Sequence, residues 1–196
     1  MKPKDIVIAA ILIIIIASLV SGCGTTQKSA NQVQPVVSGS VQNAVKKAAA
    51  VGKNIKMDFI SEKSDNQVKV KIYLDNPSAQ PVTSVQSWLS FDPNVISGKE
   101  INTKNSEFSL SAPYEQDFDN TNGLVMLGRS NPTPVTDKKL FVAEVIFDLL
   151  KNETVMVNAY DYRDDLTGHT SVNMMLDGKP YNILQKPESP ALIIQK

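Results

Sequence analysis

The chain has 196 residues, with 20 Lys+Arg against 20 Asp+Glu and a single Cys, His and Trp. The balanced charge and the lack of a basic stripe exclude nucleic acid as a partner, and one cysteine excludes an internal disulfide framework. Stability must come from a hydrophobic core, which this length can build in one domain.

Lys2 and Lys4 precede an almost wholly apolar run, Ile6 to Val20. At about 15 residues the run is short of the ~20 that a helix needs to cross a bilayer. With the small residues that follow, it reads as a secretory signal peptide over 1–22. Val20-Ser21-Gly22-Cys23 resembles the lipobox of prokaryotic lipoproteins, which implies cleavage before Cys23, a lipid on its thiol and a place on a cell membrane facing away from the cytoplasm. The competing reading is an uncleaved anchor with a chance cysteine. Residues 23–53 are rich in Gln, Ser, Thr, Asn, Ala and Val without a sustained period and read as a tether. A short helix is compatible with Val41–Val51.

From Asn54 to the end the texture is that of short strands. NIKMDFI, QVKVKIYLDN, TSVQSWLSF, NGLVMLGRS, TVMVNAY, TSVNMML and PALIIQK are separated by the turn signals Asn76-Pro77, Asp92-Pro93, Asn122-Gly123, Asn131-Pro132, Thr167-Gly168 and Asp177-Gly178. The expected fold of 54–196 is all-β, a two-sheet β-sandwich. In SWLSFDPNVI, period 2 puts Val85, Ser87, Leu89 and Phe91 on the core face and Gln86, Trp88 and Ser90 on the other. A tryptophan left in water forgoes burial worth roughly 3 kcal/mol, so its place on the polar parity asks for a reason. KKLFVAEVIFDLLKN (138–152) is apolar nearly throughout, with Glu144 and Asp148 spaced as on a helix face. The strands around it favour a central strand instead.

Catalytic chemistry is hard to find. His169 has no Cys or His neighbour in sequence, and no serine sits in a nucleophile-elbow motif; a surface histidine is the plainer reading. Asp117 to Gly123 carries the hard oxygens that calcium prefers, but its glycine is one place late for an EF-hand and no closing glutamate follows. Asp161, Asp164 and Asp165 form a second acidic stretch. Solvated loops account for both, so the expectation is a non-enzyme without metal or cofactor.

QVKVKIYLDN followed by PVTSVQSWLSFDPNVI resembles the cohesin pattern of an alternating strand ending in Asn, a short loop and a strand closed by aromatic-Asp-Pro. Asn122-Gly123-Leu124-Val125 resembles the next hairpin, Leu140 to Phe147 the central strand, and DYRDDLTGHTSVNMMLDGKPYNI the closing region. The resemblance covers roughly residues 55–196. It implies a jelly-roll sandwich that binds a dockerin, the small calcium-loaded helical module of polysaccharide-degrading systems. It also implies contact positions at Ser84 and Gln86, where many cohesins carry Asn and Asp, on the parity of Trp88 and Ser90. If Phe141, Ala143, Val145 and Phe147 face the core, Val142, Glu144 and Ile146 face outward beside Trp88. On TSVNMML, Val172, Met174 and Leu176 take the core parity, and Ser171, Asn173 and Met175 face outward. Trp88, Val142, Ile146 and Met175 would then form an apolar patch with Ser84, Gln86, Glu144 and Asn173 as its polar rim. Such a patch marks an interaction surface, unless the tether or a loop covers it or a bulge shifts the register.

The partner expected is a dockerin-like module or another envelope protein. The alternatives are a carbohydrate-binding module, which would use Trp88 to stack on a polysaccharide, with Tyr73 on the opposite sheet, and a structural envelope lipoprotein without a specific ligand.

Overall fold

The structure, a computed structural model, describes residues 52–64 and 66–188, with the backbone of 192–194. The signal peptide, Cys23, most of the tether and the helix considered at Val41–Val51 lie outside the described residues. Every regular element among those described is a strand. They are β1 (Lys56–Ser64), β2 (Gln67–Asp75), β3 (Val82–Ser87), β4 (Leu89–Ser90), β5 (Ile96–Asn102), β6 (Leu110–Asp119), β7 (Leu124–Val135), β8 (Lys139–Leu149), β9 (Val155–Ala159), β10 (Thr170–Leu176), β11 (Lys179–Asn182) and β12 (Leu192–Ile194).

Period-2 alternation sets which side of each strand is buried. In β2, Val68, Val70, Ile72 and Leu74 are fully buried, while Gln67, Lys69, Lys71 and Tyr73 turn outward. In β8, Ala143, Val145 and Phe147 point inward and Glu144 and Ile146 outward, so the helix-like spacing of Glu144 and Asp148 is incidental. Phe141 departs from its expected inward place. The pairs Ile72↔Ala143 and Tyr73↔Phe141 leave Val142 as an extra residue. This bulge sends Leu140 and Val142 into the core and turns Phe141 out against Tyr73, with ring centroids 5.3 Å apart.

The strands form two antiparallel sheets. One has four strands in the order β1-β2-β8-β5; the other has eight and contains β3, β4, β6, β7 and β9 to β12. The chain crosses between them at β2–β3, β4–β5, β5–β6, β7–β8 and β8–β9, the connection pattern of a jelly-roll sandwich. Phe147 of the smaller sheet meets Phe91, just after β4, and Phe118 of the larger sheet edge-on, at 5.2 and 6.1 Å. Each fully buried Leu, Ile or Phe of this core contributes roughly 1.5–3 kcal/mol of transfer energy.

β3 and β4 are one strand interrupted at Trp88. Both pair with β7 in a single register, Gln86↔Gly128 and Leu89↔Val125. On their other side the partner changes: β10 lies against β3 (Thr170↔Ser87) and β9 against β4 (Leu89↔Ala159), both antiparallel. β9 and β10 are therefore collinear halves of one strand, and residues 160–169 leave the sheet between them opposite Trp88.

Candidate functional site

The outer face of the eight-stranded sheet collects most of the residues singled out in the sequence. Val85, Ser87 and Leu89 are buried, and Ser84, Gln86, Trp88 and Ser90 turn outward, each half-buried. On the paired strand β10, Val172 and Met174 go to the core while Asn173 and Met175 face out, Met175 being 47% exposed. Ser171 shares the outward parity but is fully buried, because Gln86 covers it.

Val142, Glu144 and Ile146 are not part of this face. β8 is hydrogen-bonded between β2 and β5 in the four-stranded sheet, so Glu144 and Ile146 look out from the opposite side of the molecule and Val142 is in the core. Alternation tells which side of a strand is buried, but the outward sides of two sandwich sheets look alike in sequence. The apolar patch expected from Trp88, Val142, Ile146 and Met175 does not form.

What forms instead is a hydrogen-bonded polar row across the sheet. Asn173 Nδ2 donates to the hydroxyls of Ser84 and Ser171, both at 3.3 Å. Ser171 Oγ donates to Gln86 Oε1 at 3.2 Å, and Gln86 Nε2 donates to Glu115 Oε1 at 3.1 Å. Asn173 Oδ1 is buried and meets no hydrogen-bond partner among the described residues. The row thus runs from β10 over β3 to β6 and ends on a carboxylate.

Trp88, two residues along the strand from Gln86, packs against both ends of the 160–169 excursion. Its ring centroid lies 4.3 Å from that of His169 and 6.3 Å from that of Tyr160, the latter with planes only 20° apart. The excursion is closed at its neck. The backbone N–H of Tyr160 donates to Trp88 O at 2.8 Å, and the buried Thr170 hydroxyl sits 3.0 Å from Trp88 O and 2.7 Å from Tyr160 O. Asp161 adopts φ 47 just inside the neck. Its carboxylate lies 2.8 Å from His169 Nδ1 and accepts a bond from Arg163 Nε at 3.0 Å. These two partners, His169 first, hold the Asp161 carboxyl below the usual carboxylate range. Trp88 is thus outward, as its parity requires, and half-covered by an element that sequence separation had hidden. Its Nε1 is buried with no partner among the described residues.

The acidic stretches are engaged by neighbouring protein groups. Asp119 accepts from the backbone N–H groups of Thr121 and Asn122 and from Asn122 Nδ2. Asp164 accepts from Lys53 Nζ at 2.7 Å, and Asp165 from Thr167. Among the described residues, no group of three His, Cys, Asp or Glu side chains is placed to hold a metal ion.

Two residues of this face were missed in the sequence, Tyr114 and Glu115. Register is lost between Ser111 and Gln116, so residues 112–115 bulge out of β6 and fold back over β7. The signal was Pro113, because proline within a strand is confined to edges and bulges.

No family model matches the sequence, and no curated protein does. Similar solved structures include the seventh ScaB type I cohesin of Pseudobacteroides cellulosolvens, at 11% identity over 65% of this chain and 83% of that one, TM-score 0.46. Another is the third ScaC cohesin of Acetivibrio cellulolyticus in complex with the ScaB dockerin, at 17% identity over 60% and 84%, TM-score 0.46. A third is a type I cohesin–dockerin complex of Clostridium thermocellum, at 10% identity over 65% and 91%, TM-score 0.47. At such identities and scores, the residues of this chain have to carry its functional reading.

Proposed function

We propose that residues 54–196 are a non-catalytic binding module of cohesin type. The outer face of β10, β3, β7 and β6 docks a folded protein partner, a dockerin-like module. The chain is held outside the cytoplasm by a lipid on Cys23. One observation above all supports the docking role: the ordered polar row from Asn173 through Ser84, Ser171 and Gln86 to Glu115. It lies across the middle of a sheet face, with half-exposed apolar groups, Trp88 with Tyr160 and Met175, nearby. A row held by its own hydrogen bonds is pre-organised to exchange them with a partner, and the apolar flanks supply area to bury. The dockerin class comes from the sequence resemblance, which covers roughly residues 55–196.

The test is calorimetric titration of the protein with a panel of purified, calcium-loaded dockerin modules. Binding by at least one, weakened tenfold or more by Asn173→Arg at the centre of the row, is the expected result. A panel without a single binder sinks the dockerin reading.

A second reading has one observation in its favour. The near-parallel Trp88 and Tyr160 rings give the face two aromatics where the sequence offered one, a pair suited to stacking against a short oligosaccharide. Titration with soluble cello- and xylo-oligosaccharides, read by Trp88 fluorescence, separates this from protein docking.

A further inference from the structure

Tyr114 is the most exposed large apolar or aromatic side chain of the described domain, at 95%, and it makes no hydrogen bond or ring contact to any described residue. It also holds φ 61, in the left-handed region that costs a bulky side chain. A residue that is both strained and unpacked does nothing for its own fold, yet the bulge that carries it is fixed from three sides. At the neck, Ser111 Oγ donates to Gln116 Oε1 at 2.8 Å, joining the two ends. From inside the sheet the buried Arg129 guanidinium donates to Ser111 Oγ and to Phe108 O. On top, Glu115 is held by Gln86 and lies over Gly128, where an added Cβ would stand 1.8 Å from Glu115 Oε2 and 2.8 Å from Ala112 Cβ. Only glycine at 128 lets the bulge fold back this closely.

The charge around it is one-sided although the chain as a whole is neutral. The strands forming this face, β3, β4, β7 and β10, contain one charged residue, Arg129, and it is buried. β6 adds Glu115, Asp117 and Asp119 and no cation.

We infer that Tyr114 is a pre-positioned anchor that inserts into the docking partner. The partner is a folded protein module offering an apolar socket rimmed by lysine or arginine, which meets Glu115 and Asp117. The inference rests on the protein-docking reading and adds to it the residue that specifies the partner. Strain kept at an exposed site points to use in binding, an aromatic on a rigid support loses little entropy when it docks, and the acidic strand selects the sign of the rim.

The experiment has a partner-free arm and a binding arm, both in the full chain. Thermal melts of Tyr114→Gly and Tyr114→Ala come first. The glycine variant should melt a few degrees above the parent and the alanine variant no lower than the parent. A lower melting temperature for both shows that Tyr114 serves the fold, and overturns the inference. In the second arm, the dockerin module that binds the parent is titrated into Tyr114→Ala and into Glu115→Lys/Asp117→Lys. Each should weaken binding tenfold or more, and the parent's affinity should fall with added NaCl while that of the double variant should not. If Tyr114→Ala binds as the parent does while Asn173→Arg does not, the anchor is refuted and the docking face stands. If no dockerin binds the parent, the docking reading fails, and the inference with it.

Discussion

Trp88 shows how a single residue can satisfy two demands. Parity along β3 and β4 sends it outward, and the ends of the excursion cover part of it, so only part of its apolar area is left in water. Trp88→Ala removes the contacts with His169 and Tyr160 and should lower stability by roughly 1–3 kcal/mol, less than for a ring in the sandwich core. Trp88→Phe keeps much of the packing and removes a buried N–H that has no partner among the described residues, so its stability should stay within about 1 kcal/mol of the parent by chemical denaturation. The emission of the sole tryptophan should lie between that of a free and a buried indole, with partial iodide quenching. Full protection from iodide would contradict the half-covered geometry. Gly128 carries an equally local prediction. Gly128→Ala drives a methyl into Glu115 and Ala112 and should cost about 1–3 kcal/mol as overpacking does, with loss of the Gln86–Glu115 bond visible in the amide spectrum of Gln86.

At the scale of elements, the excursion and the β6 bulge both carry backbone out of the larger sheet beside the proposed docking face, and they differ in how they are secured. The excursion depends on a carboxylate. Asp161 titrates below the ordinary aspartate value of 3.8 because His169 and Arg163 favour its charged form. A group with a depressed native value contributes stability at higher pH and loses it as pH falls from the unfolded value through the native one. Acidification below about pH 4 should therefore loosen the Asp161 ties and change the fluorescence of the adjacent Trp88. Asp161→Asn should abolish that acid step; an unchanged step in the variant would assign it to another group. The strands were legible because alternation is a direct image of two-sided burial: β2, β3 and β10 follow their patterns. The two departures were not. Phe141 is displaced by one extra residue in β8, and nothing in an apolar run marks where a bulge falls. Tyr160 and His169 reach Trp88 across more than seventy positions, with no periodicity to announce the meeting.

For the whole molecule, the sandwich puts two outward faces back to back, and sequence pattern alone could not say which strand belongs to which. This is why Glu144 and Ile146 fall beside Trp88 in the sequence pattern, while Val142 joins them only because the bulge that turns it inward leaves no mark there; Ala143, Val145 and Phe147 of the same strand are read correctly as inward. Two predictions belong to this scale. A protein starting at residue 54 should give a β-type circular dichroism spectrum and one cooperative melt; a predominantly helical spectrum would contradict the domain limits. Cys23→Ser should leave an uncut precursor or release the protein from membranes, since stable anchoring takes more than one acyl chain. A mature-sized variant that still sediments with membranes would refute lipidation. One feature of the larger sheet reaches further. β9 and β10 each keep their own register with β4 and β3, and Thr170 closes the gap at its base. The register of these four strands therefore does not set the number of residues between Asp161 and His169; that stretch is tied to the sheet instead through Asn182 of β11, which donates to the carbonyls of Arg163 and Asp165. A change of length or composition there should alter the surface beside Trp88 while the pairing of β3, β4, β9 and β10 stays as it is.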